Sequence, residues 1–183
     1  MPRVDLIQPQ QAPLPVRSFF AAGDPGALTA SVAQVPELLV AIGPFLRAIY
    51  GPSALAMRLK EIVILRVSAR MGCRYCVQTH SAVALGAGLS HDEIRALRAD
   101  DALPGFSDPR ERLLLRWADA LAPGPAPITD ELAASMTRTF AQHEVVEISM
   151  VAGATMMLNR YATGLELPAS KATLDKITAE GLL

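Results

Sequence analysis

Between positions 53 and 87 the chain reads as two helices joined at one glycine, and this hairpin limits the fold more than any other feature. In 53–70, Leu55, Leu59, Ile62, Val63, Arg66 and Ala69 recur at helical spacing and mark one face. A second helix is expected over 73–87. Gly72 stands between them, and glycine is preferred where a helix must stop and the chain reverse. Glu61 lies eleven residues before Gly72 and His80 eight after it. At about 1.5 Å per residue these are roughly 16 Å along one helix and roughly 12 Å back along the next. The fold at Gly72 therefore brings the Glu61 carboxylate and the His80 imidazole within about one turn of each other.

The two cysteines of the chain, Cys73 and Cys76, open the second helix as a Cys-x-x-Cys pair. Positions i and i+3 share a helix face, so the sulfurs can approach closely enough for a disulfide with little backbone movement. Cys76 and His80 are i and i+4, which puts the imidazole one turn above the Cys76 sulfur, where it can accept the thiol proton. Glu61 would orient the imidazole and raise its basicity, giving a relay from Glu61 through His80 to Cys76. A first-turn position also exposes both thiols to the positive end of the helix, which lowers thiol pKa, and Arg70 and Arg74 add to that field.

Other uses of a Cys-x-x-Cys pair fit less well. A structural zinc site is normally closed by four ligands, whereas His91 and His143 read as helix starts and no second cysteine pair exists. A structural disulfide across so short a loop removes little unfolded-state entropy, and a chain of 183 residues has core enough without one. Cycling redox chemistry is the favoured reading.

Glu61, twelve residues on Cys73-x-x-Cys76, four further on His80, then Gly-Leu-Ser and an acidic helix start over 88–93, resembles the alkylhydroperoxidase D-like branch of the carboxymuconolactone decarboxylase superfamily. The match is close across 58–97 and weaker elsewhere, although Asn159 and Arg160 also resemble an Asn-Arg pair near the end of peroxidase-related members. The resemblance implies an all-α fold that assembles as homo-oligomers, trimers or hexamers, and reduces organic hydroperoxides or hydrogen peroxide through a dithiol to disulfide cycle. By the same resemblance Cys76 meets the peroxide, Cys73 resolves the sulfenic acid, and Glu61 and His80 move protons. No bound metal or organic cofactor is expected. An external thiol reductant, a lipoyl-bearing or thioredoxin-like protein, reopens the disulfide. One position departs from the pattern: Tyr75 stands where well-studied members carry a histidine, which removes one proton carrier and leaves Tyr75 an auxiliary candidate.

Two further readings differ in what they ask of the thiols. Decarboxylation of a carboxymuconolactone needs an acid and an electrostatic cradle for an enolate, with no use for two thiols. A non-enzymatic redox sensor would use the pair to switch an assembly and would stop after one equivalent of oxidant.

The rest of the chain agrees with one helical domain. Hydrophobic residues make up 51% and aromatics 5%, so burial must come from Ala, Leu, Val, Ile and Met, which suit helix-on-helix packing. The net charge of −1, with no run of Lys or Arg, offers no handle for nucleic acid or an anionic membrane. The amino end lacks a basic flank and apolar stretch, the longest uncharged helical run, 148–159, is too short to span a bilayer, and a cytoplasmic setting is expected. Residues 1–17, rich in Pro and Gln, are expected as an extended arm that wraps a neighbouring subunit, and 18–183 as a single helical domain. Helices are expected over 38–50, 53–70, 73–87 and 90–99, the last with a Ser90 and Glu93 capping box. Another starts at Asp108 and Pro109 with Leu113, Leu114, Trp117 and Leu121 buried, one runs from Thr129 to about Gln142, and a long apolar one ends near Gly164, giving seven or eight helices. The Pro-rich stretch 122–127 must be a loop. Met150, Met156 and Met157 are read as core or subunit interface.

Overall fold

The computed structural model describes residues 1–124 and 127–183, and among these residues the chain is all-helical with no strand. Its α-helices are α1 (Ala27–Val32), α2 (Pro36–Tyr50), α3 (Met57–Arg70), α4 (Arg74–Gly86), α5 (His91–Arg98), α6 (Pro109–Leu121), α7 (Asp130–Thr139), α8 (Gln142–Gly164) and α9 (Lys171–Ala179). The described residues thus hold nine α-helices where seven or eight were expected. The additions are the short α1 and the C-terminal α9, which Ser170 caps and which buries Ile177. Of the expected loop over 122–127, Pro125 and Ala126 lie outside the described residues. No helix among the described residues is long and apolar enough to cross a membrane.

The centre of the fold is α3. It packs against α4, α5, α6 and α8, and every residue from 59 to 68 is buried, so the single apolar face read from the sequence understates its burial. Ile62, Val63, Ile64, Leu65 and Val67 are almost wholly removed from solvent, each worth about 1.5–3 kcal/mol of transfer free energy. A helix buried all round must partner its polar side chains. Lys60 Nζ donates to Ile49 O (2.9 Å) and Gly51 O (2.7 Å) and pairs with Glu147 (2.7 Å). Arg66 is bidentate to Asp119 and also donates to the carbonyls of Ala99 and Asp100 at the end of α5.

α3 begins at Met57, not at 53 as expected. The segment before it is used to close α2: Lys60 takes up the carbonyls there, and the Ser53 hydroxyl accepts from the Leu55 amide and donates to Glu147. α3 ends as read, at Gly72 with φ +64°. The Cys73 amide donates back to Ser68 O (3.0 Å) and the Gly72 amide to Ala69 O (3.0 Å), a Schellman closure that demands a left-handed residue at Gly72. The chain reverses there into α4.

Local signals also hold elsewhere. Ser90 and Glu93 form the capping box of α5, and Asp108 and Thr129 cap α6 and α7. The buried stripe of α6 is Leu114, Leu115, Trp117 and Ala118, with Leu113 and Leu121 half-buried beside it. α7 stops at Thr139, short of Gln142, because Phe140 turns into the core under the Arg110 guanidinium. On α8, Met156 packs against the core while Met150 and Met157 are exposed.

The first twenty residues correct the expectation of an extended arm. They hold two 3-10 turns, Pro9–Gln11 and Leu14–Phe20, the second running across the boundary expected at 17 and 18. Ala12, Val16 and Phe20 are buried against Ala30, Val32, Ala33 and Leu39 of the same chain. The approach is close at Gly43, where an added Cβ would lie 2.5 Å from the Phe19 ring. Arg3 reaches Gly164 O and Glu166, tying the amino end to the end of α8.

Candidate active site

The hairpin of α3 and α4 brings the expected groups together. His80 Nδ1 lies 2.9 Å from Glu61 Oε2 and 3.3 Å from Oε1, with Glu61 buried and His80 half-buried. A carboxylate on Nδ1 fixes the ring and leaves Nε2 as the nitrogen free for proton exchange. Cys73 is the N-cap of α4, and its sulfur accepts the Cys76 amide at 3.4 Å. The two sulfurs are 2.8 Å apart as free thiols, at 0% and 6% exposure.

The location of the thiolate differs from the expected one. The Cys73 thiol is lowered from 9.0 to about 6, chiefly because the Cys76 thiol donates to it. Burial opposes the lowering, while the Cys76 amide, the Thr163 side chain and the charge of His80 reinforce it. Cys76 is raised, because it is the donor in that hydrogen bond, because it is buried and because it faces the Cys73 charge. The pair thus gives up its first proton from Cys73, not from Cys76 beneath His80. The physical reason is position: the N-cap sulfur receives a backbone amide and the helix's positive end, whereas among the described residues His80 hydrogen bonds to Glu61 and not to Cys76. Arg70 is turned toward Asp119 (3.8 Å), and Arg74 lines the groove beside Cys73.

The two sulfurs open on different spaces. Cys76 and His80 line a mainly apolar cavity of about 230 Å³ walled by Leu28, Leu46, Ile64 and Leu158. Cys73 lines a separate groove of about 410 Å³ with Gly72, Arg74, Gln78 and Thr163. Tyr75 borders both, and burial raises its phenol.

Sequence reasoning missed Tyr50, Ser68 and Thr155 in the cavity. Tyr50 sits with its ring 6.1 Å from that of His80 and its hydroxyl 3.2 Å from Thr155 Oγ1, and burial pushes its phenol up to about 12. Ser68 donates to Asn159 Oδ1 at 3.1 Å. No spacing rule ties residues on α2, α3 and α8 together, so these had no local signal. Asn159 alone had been singled out, and it is buried in the cavity wall while Arg160 is exposed. Of the other histidines, His91 opens α5 and pairs with Glu180 (2.9 Å), and His143 lies in the first turn of α8.

Residues 36–120 match the model of the carboxymuconolactone decarboxylase family. No curated protein matches the sequence. Among solved structures, a peroxidase-related protein with an alkylhydroperoxidase AhpD core from Ralstonia eutropha JMP134 is 16% identical, covering 94% of each chain with a TM-score of 0.82. A protein of unknown function from Agrobacterium tumefaciens, a candidate antioxidant defence protein AhpD, is 27% identical over 76% of this chain and 95% of that one, with a TM-score of 0.69. The debrominase Bmp8, with one cysteine replaced by alanine and in complex with 2,3,4-tribromopyrrole, is 20% identical over 98% of this chain and 99% of its own, with a TM-score of 0.78. The family match across α2–α6 and these likenesses over the wider fold agree: residues 36–120 match the carboxymuconolactone decarboxylase family, within a helical fold similar to that of proteins with an alkylhydroperoxidase AhpD core.

Proposed function

We propose that the protein is a dithiol peroxidase that reduces hydroperoxides and is returned to its dithiol form by an external thiol donor. The observation that carries this reading is the pair of free sulfurs 2.8 Å apart, with the N-cap thiol lowered from its ordinary range, beside a histidine clamped by a carboxylate. Cys76 lines the cavity, so it meets the peroxide there and passes its proton across the sulfur contact to Cys73 as it attacks the terminal oxygen. The S–O bond forms and the O–O bond breaks. The Cys76 sulfur becomes a sulfenic acid, and the departing alkoxide takes a proton through His80. Cys73 then returns its proton to His80 and displaces hydroxide from the Cys76 sulfur to form the disulfide. A thiol donor arriving on the groove side at Cys73 restores both thiols. The catalytic set is Cys76, Cys73, His80 and Glu61.

The exposed apolar side chains of α8, Val146, Met150 and Met157, suit burial in a homo-oligomer, which is part of the same reading. Because the first twenty residues pack on their own chain, such an assembly does not need them as a clasp.

A peroxide-consumption assay with thiol, lipoyl and thioredoxin-type reductants tests the reading. Consumption of many equivalents per chain, lost in both Cys73→Ser and Cys76→Ser, is expected. Consumption that stops after one equivalent would replace the enzyme by a redox sensor. A second reading rests on the apolar lining of the cavity and the likeness to the debrominase: the same two electrons could remove bromide from a halogenated aromatic ring. Bromide release from tribromopyrrole without peroxide consumption would favour it.

A further inference from the structure

The cavity that contains Cys76 is mainly apolar, yet its wall carries one polar group with half of its hydrogen-bonding capacity unused. Asn159 is 1% exposed, and its Oδ1 accepts from Ser68 Oγ at 3.1 Å. Its Nδ2 has no partner among the described residues. Buried donors are almost always satisfied, so an unpaired amide N–H in the wall of a cavity calls for an acceptor that arrives from outside. The Ser68 bond is also informative, because a hydroxyl donating to Oδ1 fixes the amide plane and commits the free end to donation.

Cys76 and His80 share this cavity with Asn159. A cavity of about 150 Å³ can hold benzene, so the observed space of about 230 Å³ has room for a substituted ring or a branched alkyl group with an oxygen function at one end. The carbon body meets Leu46, Ile64 and Leu158, and the oxygen end has Asn159 as a neutral donor.

Resting on the peroxidase reading for its chemistry, we propose that Asn159 Nδ2 is the donor that binds the oxygen end of an organic substrate beside Cys76 and stabilises the departing alkoxide. In the step described above the O–O bond breaks and charge grows on the carbon-bound oxygen. A fixed N–H aimed at that oxygen is worth more as the charge develops, and no water need reorganise. The proton still reaches the alkoxide through His80; Asn159 holds the oxygen and gives up none.

The test separates binding from turnover. Calorimetry with 2-phenyl-2-propanol, the alcohol left by cumene hydroperoxide, and with isopropylbenzene, the same body without the hydroxyl, reads the donor directly. The reduced protein is expected to bind the alcohol more tightly than the hydrocarbon. Asn159→Leu should erase that preference and lower kcat/KM for cumene hydroperoxide about a hundredfold, while diamide still oxidises the Cys73 and Cys76 pair at the parent rate. Ser68→Ala frees the amide to turn but leaves the donor, so it should reduce the preference less than Asn159→Leu does, whereas a merely structural role for Asn159, acting through that bond, would give the same loss in both. Asn159→Ala gives the same reading should the leucine variant fold poorly. Loss of the preference without any peroxide turnover in the parent upholds the donor and sinks the peroxidase reading. Equal turnover and equal preference in parent and variant, or no alcohol binding by the parent, overturns the donor assignment.

Discussion

Replacing Cys76 by alanine removes the largest influence on the Cys73 thiol and so tests where the charge of the pair resides. Cys73 moves from 9.0 to about 6, a difference of about 4 kcal/mol between its protonation states. The first cause is the hydrogen bond from the Cys76 thiol, and a hydrogen bond to a charged group contributes about 1.5–3 kcal/mol. Its loss should return Cys73 to about 7–8, which at pH 7 lowers the thiolate fraction from roughly 90% to between roughly 10 and 50%. Cys76→Ser supplies a hydroxyl in the same place and should leave Cys73 near the parent value. Cys73→Ser should bring Cys76 down, because the hydrogen bond to Cys73 and the Cys73 charge no longer raise it, yet leave it above the ordinary thiol range, because burial still does. Thiolate absorbance in the far ultraviolet, followed against pH in the three variants, reads all of this. A Cys73→Ser protein whose remaining thiol titrates near 6 would refute the reasoning and restore Cys76 as the thiolate under His80.

The same lowering is a statement about stability. Cys73 ionises near 9.0 unfolded and at about 6 folded, so its contribution is fully present above about 9 and is lost as pH falls through about 6; denaturant melts of the dithiol form should show stability rising from pH 6 to 9 in the parent and a flatter profile in Cys73→Ser, and parallel profiles would count against it. His80 is the last of the causes acting on Cys73, so His80→Ala should move the Cys73 titration by less than roughly half a pH unit yet slow peroxide turnover by about a hundredfold or more, with Glu61→Gln intermediate; a large titration shift would mean that His80 does govern the thiolate. Glu147→Ala leaves the buried Lys60 ammonium with only the carbonyls of Ile49 and Gly51, at a cost of about 3 kcal/mol or a fall of about 6–12 °C in Tm, whereas Lys60→Met should cost clearly less; equal losses would show that the lysine's packing matters more than its charge.

The meeting of Glu61 and His80 was legible because it depends on three local facts: two helical runs, one glycine between them, and arms of similar length. The same is true of the caps at Ser90, Asp108 and Thr129, where a side chain serves an amide two or three residues away. What could not be read depends on partners distant in sequence. Lys60 and Arg66 sit in a helix whose other buried residues, Glu61 and Ser68 apart, are apolar, and their place in the core is intelligible only once Glu147 and Asp119 come from α8 and α6 to neutralise them. The amino-terminal segment looks coreless by itself, yet it fits a surface made by α1 and α2, down to the missing Cβ at Gly43. The position of the thiolate failed to be read for a subtler reason. Helical spacing applies to residues inside a helix, and Cys73 is its N-cap, with ψ 93° and a sulfur turned back over the first turn. One residue of difference at a helix boundary exchanges the roles of two cysteines three positions apart: the sulfur at the cap receives the amide and the charge, and the sulfur inside the helix faces the cavity. On the proposed peroxidase reading, a dithiol that divides charge and access in this way would meet substrate on one side of α4 and reductant on the other without either having to displace the other.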